Sequence, residues 1–405
     1  MYAAQKALQA LEEGQGILRL APTWVPRSFC RPGKRIKLHP SDYYALGLER
    51  GGIDERWFAS TTKAENGPLT AEDEGLSYVV FSSEGADRIL LRDAVEALKG
   101  DLIGDALWQT YGGWPMYSKF FDNEGPLPHH VHHREEHAQR VGQHGKPEMY
   151  FFPAQLNNHG GEFPFTFFGL NPEVTREELK ASLQAFAEGD NRLLDLSRAY
   201  RLTLDTGWDV PPGILHAPGS LCTYEPQFAS DVFAMYQSVL YGGHCVPESL
   251  LWKDTPSDHQ DDFDYLIEVL DWELNVDPDF HAERFMAPKL VHDAAAMQAE
   301  GYTAEWICYR CRAVSAQRLT IQPGRSVRIR DAAAYGFIAV QGRGTCGPWS
   351  VETPSLIRYG ELTQDEFFVS QAAAQDGVVY SNTSLTEPLV LLKHFAENPD
   401  LPPGL

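Results

Sequence analysis

From Trp306 to the end of the chain the sequence breaks into short runs closed by turn signals: RLTIQPG, SVRIRD, YGFIAVQG, DEFFVS, GVVYSN and LVLLKHF. Each is too short for an ordinary helix and is rich in β-branched or aromatic residues, so each reads as a strand. The same signature appears earlier in SYVVF, GGWPMYSKFF, MYFFP and the stretch RLTLDTGWDVPPGILHAPGSLCTYEP. Helical patterns interrupt these strands without alternating with them. One lies at RDAVEALKGDLIG. A second, NPEVTREELKASLQAF, opens on a capping box of Thr175 and Glu178 and puts Leu179, Leu183 and Phe186 on one face. A third is FDYLIEVLDWEL, with Phe263, Ile267 and Leu270 on one face. The regular strand–helix alternation of a parallel α/β sheet is excluded, and a mainly β chain with helical insertions is expected.

A chain of 405 residues has room for two or three domains. The pattern divides it into an N-terminal unit over residues 1–245 with a helical insertion at about 170–200, a helical connecting segment over 246–305, and a smaller all-β unit over 306–405. The formal charge of −22 excludes binding to a phosphate backbone, so nucleic acid is not an expected partner. No apolar run reaches the length of a membrane span, and the first residues lack the apolar core of a signal peptide. Six scattered cysteines suit a reducing cytoplasm, which is the expected location. Cys308 and Cys311 form a C-x-x-C with no second pair, and read as ordinary thiols.

Histidines are spent unevenly. Six of the 14 fall in HHVHHREEHAQRVGQH, at His129, His130, His132, His133, His137 and His144. His130 and His132 form a His-x-His pair, which on a strand projects from one face. Sixteen residues past His132, Glu148 opens the apolar run EMYFF, and PPGILHAPG delivers His216 after a tight turn. Three imidazoles and one carboxylate make a ligand set for Zn²⁺, Mn²⁺, Fe²⁺ or Ni²⁺. Glu136, four residues past His132, is the rival carboxylate, but it lies in the polar run HREEHAQR, and Glu148 is favoured. His129, His133, His137 and His144 are expected at the rim of the site or in water. Past residue 300 the only histidine is His394, so the C-terminal unit is expected to be metal-free.

His-x-His, a later Glu and Pro-x-Gly-x-x-His resemble the ligand pattern of cupin barrels. Within the cupins the chain resembles type I mannose-6-phosphate isomerase: GKPEM echoes that family's core motif, and ERWFAST, LKGDLIG and WPMYSKFFD fall in the family's order. The similarity covers roughly residues 20–245 and is weaker beyond. It implies a bicupin, two jelly-roll β-barrels with helical insertions, holding one divalent metal ion, zinc before the others. The implied ligands are His130 (where the family usually has Gln), His132, Glu148 and His216. The implied active-site residues are Lys146, Lys119, Glu225 and Asp231, with Glu55 matching the Glu of the family's E-x-W. The implied partner is a small sugar or sugar phosphate, and the implied reaction is aldose–ketose isomerisation. A base, Lys146 or Glu225, would move the proton between C1 and C2 by way of a cis-enediol, and Lys119 or Lys146 would steady the enediolate oxygen. The chain departs from the family at Met235, where an arginine serves the substrate. Arginine is the natural bidentate partner of phosphate, so a free sugar or a related polyol is expected here. A non-catalytic sugar-binding or regulatory protein is the alternative that the same departure motivates; a third, a cupin dioxygenase, would require Fe²⁺.

Overall fold

The computed structural model describes residues 2–81, 87–157 and 163–401. Its strands pair antiparallel into four sheets of nine, seven, five and four strands. The expected strands form: Met116–Phe121, Glu148–Phe151, Gly207–Val210, Thr223–Phe228, Val314–Ile321, Tyr335–Gln341, Glu366–Val369, Val378–Asn382 and Leu389–Ala396. The insertion helix Arg176–Gln184 starts at Thr175, whose side chain and that of Glu178 close the capping box. The third helical stretch is two short helices, Phe263–Val269 and Trp272–Asn275, because Asp262 and then Asp271 each cap a new start.

The five-stranded sheet packs on the seven-stranded one through aromatic contacts, among them Phe168 against Trp208 at 5.0 Å and Phe168 against Tyr150 at 5.9 Å. The four-stranded sheet closes on the nine-stranded one in the same way, where the hydroxyls of Tyr335 and Tyr380 meet at 2.7 Å. The chain is therefore mainly β, two pairs of facing antiparallel sheets, with helices packed against both pairs.

The seven-stranded sheet is buried on both faces, and the pleat assigns its side chains to two different jobs. Lys119, Glu225 and Glu148 turn to the five-stranded sheet and meet one another there. Phe120 and Tyr224 turn the other way, and the Tyr224 hydroxyl reaches Nδ1 of His394 on the nine-stranded sheet at 2.9 Å. The C-terminal histidine is thus spent on the joint between the sheet pairs. Arg56 spans the same joint, donating to both oxygens of Asp365 at 2.8 Å with both side chains buried. The N-terminal strand Ile17–Ala21 also crosses over, pairing with Glu366–Val369 and carrying Tyr78–Val80 and Arg88–Leu90 with it, so that three N-terminal strands extend a sheet whose other six come from residues 289–396.

Removing Arg56 leaves Asp365 and Glu366 buried without their shared cation. Arg56→Ala is expected to lower unfolding free energy by about 3 to 5 kcal/mol. A urea midpoint within error of the parent would show that the joint does not depend on this pair.

Candidate metal centre

Three imidazoles converge on one point, and local structure explains how. Strand His130–Val131 lies beside strand His216–Ala217, with His130 directly opposite His216. Opposed residues of an antiparallel pair project to the same side, and His132 follows His130 by one pleat period. The turn before His216 requires Gly213, whose φ is +86°, and whose N–H donates to the His132 carbonyl at 2.8 Å. Buried Asn275 clamps this turn, donating to the Gly213 carbonyl and accepting from Leu215 N–H, both at 2.8 Å. The result is that the candidate ligand atoms of His130, His132 and His216 all lie within 4.8 Å of one another.

Each ring is also set in one tautomer. Nδ1 of His130 lies 2.8 Å from the Pro128 carbonyl, that of His132 2.7 Å from Val232 and that of His216 2.9 Å from Ile214. A carbonyl only accepts, so Nδ1 carries the proton in each case and Nε2 presents a lone pair. Burial pushes the His130 imidazole well below its ordinary pKa and takes His132 down to about 4, which keeps both neutral.

Glu148, heading its strand on the facing sheet, meets these lone pairs. Its Oε2 is 3.1 Å from Nε2 of His132, and its Oε1 is 3.2 Å from Nε2 of His216. Burial acts to raise its pKa, but His132 and Lys146 outweigh that and hold it well below the usual range. Acceptors facing acceptors in a dry site repel; Lys146 Nζ, 3.2 Å from both His132 Nε2 and Glu148 Oε2, relieves one side, whereas Nε2 of His216 has no hydrogen-bond partner among the described residues. Three converging imidazoles with a carboxylate against two of them fit a divalent cation, which would supply positive charge between the facing acceptors. Tyr150 donates to Oε1 of Glu148 at 2.7 Å and steadies the carboxylate. Glu136 is not in the cluster. Its half-exposed side chain pairs with Arg134 at 3.1 Å.

A row of paired charges leads away from the imidazoles. Lys146 lies 3.2 Å from Glu148 and 3.8 Å from Glu225, and Lys119 bridges Glu225 at 3.3 Å and Glu55 at 3.2 Å. Arg27 then joins Glu55 at 3.3 Å to Asp231 at 3.1 Å. Burial together with the charge of Glu148 lifts Glu225 to about 8 in spite of both lysines. Lys119 is raised above its ordinary value because Glu225 and Glu55 overcome the burial that opposes them. Asp231 is held low because Arg27 outweighs its burial. Trp57 explains the E-x-W pattern: its indole N–H donates to Glu55 at 2.8 Å.

The sequence reading missed Arg27, Tyr150 and Asn275. Tyr150 could have been read from its place two residues beyond Glu148, whereas Arg27 reaches the site by a pairing that no local pattern records. Of the other four histidines in the run from 129 to 144, only His144 faces water. His129, His133 and His137 are buried, against the expectation of a rim or solvent position. His129 is occupied by Gln237 at 2.6 Å, and His137 packs on Tyr265 in the helical layer. Met235, opposite His130 in the sheet, joins Phe29, Leu127 and Phe233 in an apolar rim over the site. The cleft beneath it has about 30 Å³ of open space, room for two or so waters.

No family model matches the sequence, and no curated protein matches it. Solved structures do. The mannose 6-phosphate isomerase of Bacillus subtilis superposes with a TM-score of 0.61 at 14% identity, over 94% of this chain and 100% of that one. The fold is that of the mannose 6-phosphate isomerases. A variant of phosphomannose isomerase from Salmonella typhimurium matches with a TM-score of 0.61 at 12% identity, over 95% of this chain and 100% of that one. A zinc-bound mannose 6-phosphate isomerase gives 0.61 at 13% identity, with the same coverage. Among the described residues no helix is long and apolar enough to cross a membrane.

Metal content distinguishes the two carboxylates. His216→Ala and Glu148→Gln are each expected to reduce bound metal at least tenfold relative to the parent, and Glu136→Gln to leave it unchanged, by elemental analysis after dialysis. Loss in Glu136→Gln with retention in Glu148→Gln would reverse the assignment.

Proposed function

We propose that this protein is a metal-dependent aldose–ketose isomerase acting on a free sugar. The observation that carries this reading is the convergence of three imidazoles, two of which meet Glu148, directly beside the acid–base set of Lys146, Glu225 and Lys119. A divalent cation, zinc first, would be held by His130, His132, Glu148 and His216, and would supply Lewis acidity toward the C1 and C2 oxygens of the open-chain sugar.

The side chains divide the remaining work. Glu225, poised near neutrality, takes the proton from one carbon and returns it to the other, with Lys146 next to it as the second candidate for that transfer. Lys119, kept charged by its two carboxylates, steadies the negative charge that develops on the enediol oxygens. Arg27 and Asp231 hold Glu55, and through it Lys119, in place.

Two features favour a free sugar. Met235 stands where an arginine would serve a phosphate, and it is part of an apolar rim with Phe29, Leu127 and Phe233. Arg27, Lys119 and Lys146, the cations in the cleft lining, are already matched to carboxylates. A phosphate would have to break one of these pairs. The narrow cleft means that a sugar reaches the donors only when the rim parts.

Proton NMR of aldoses in deuterated water is the test. Exchange of the C2 hydrogen is expected, abolished by a chelator, restored by zinc or manganese, and reduced on the order of a hundredfold or more in Glu225→Gln. Exchange that survives complete metal removal would refute the mechanism. Binding without exchange would favour a sugar sensor instead. Met235→Arg is expected to shift preference toward the phosphorylated sugar by roughly tenfold, read as a ratio of kcat/KM values.

A further inference from the structure

The second sheet pair carries a cavity that the isomerase reading does not use. It measures about 400 Å³ and is lined by Gln317, Arg330, Asp331, Gln375 and Asp400, with Val291 and His292 at one side. This falls within the range of small-molecule sites and is far roomier than the cleft over the histidines.

Its floor is built from the sheet interior. Lys393 and Gln317 are directly opposed on strands Leu389–Ala396 and Val314–Ile321, so both side chains leave the same face. Lys393 is fully buried, bound to both oxygens of Asp331 at 2.5 and 2.6 Å, and lies over the ring of Tyr335 at 4.4 Å. That pair fixes Asp331 as a preset acceptor at the cavity floor. Gln317 is 3% exposed, and among the described residues its amide has no hydrogen-bond partner. The small surface it retains lines the cavity. Gln375 donates to the Ala332 carbonyl at 2.9 Å, which leaves its amide oxygen free to accept.

The charges narrow the ligand class. Arg330 and Lys393 are set against Asp331 and Asp400, so an ion of either sign meets as much repulsion as attraction. No phenylalanine, tyrosine or tryptophan lines the cavity among the described residues, and His292 is the one ring on its lining, so there is no pair of rings to sandwich a base or a flat ring. What remains is a group of amide and carboxylate donors and acceptors at close quarters, which suits a neutral molecule with several hydroxyls. We infer that the second sheet pair holds a separate, non-catalytic binding site for a neutral polyol of monosaccharide size, with Gln317 and Asp331 as its central contacts.

Hydrogen–deuterium exchange of the full chain with saturating D-mannitol tests this. Mannitol has no carbonyl to isomerise, so the outcome is independent of the proposed catalysis. Protection is expected in peptides covering residues 326–332 and 371–376. Gln317→Leu and, as a second variant, Gln375→Ala should each weaken it on the order of tenfold while the other peptides exchange as in the parent. Protection confined to residues 129–148 and 213–235, or none anywhere, would overturn the inference. So would equal protection of the same peptides by inorganic phosphate, which would make the cavity an anion site.

Discussion

Lone pairs aimed at one another in a dry interior are the constraint around which this molecule is arranged. The three Nδ1 protons are committed to backbone carbonyls, so the three Nε2 atoms have nothing to donate. Glu148 adds further acceptors within 3.2 Å. Such an arrangement is costly unless positive charge sits among the donors. The surrounding structure keeps it in place through the Gly213 turn, the Asn275 clamp and the register of His130 on His216. Two sheets are needed, because the imidazoles come from one and the carboxylate from the other.

The same logic runs outward. Among the described residues each lysine and arginine lining the first cleft is matched to a carboxylate, so the charges hold one another in position. Preorganised charge of this kind assists a reaction in which charge develops on substrate oxygens. It also disfavours a substrate that brings a dianion of its own. The second sheet pair shows a different use of a buried cation: Lys393 and Asp331 satisfy one another, and the strand position next to them is left for Gln317.

Much of this was legible in the chain. The strands after Trp306 are short and bounded, and their existence follows from local pattern. The capping box of Thr175 and Glu178 fixed one helix start outright. His130, His132, Glu148 and His216 could be nominated from spacing, because pleat period and turn chemistry act over a few residues. Other features act over hundreds. That Ile17 pairs with Val369, or that Arg27 reaches Asp231, depends on register between distant strands, and no local pattern encodes it. Burial of His133 and His137 was hidden for a related reason. The run HREEHAQR looks polar, but both rings are buried, and for His137 the covering residue, Tyr265, comes from the distant helix Phe263–Val269.

The central claim is that one cation belongs between the three Nε2 atoms and Glu148. Anomalous diffraction from crystals of the purified protein, collected on either side of the zinc absorption edge, locates such an ion directly. The account predicts a single peak at that position, bonded to His130, His132, His216 and Glu148 at about 2.0 to 2.2 Å. Imidazoles turned apart with no peak between them, or a peak bound through Glu136 with Glu148 uninvolved, would contradict it.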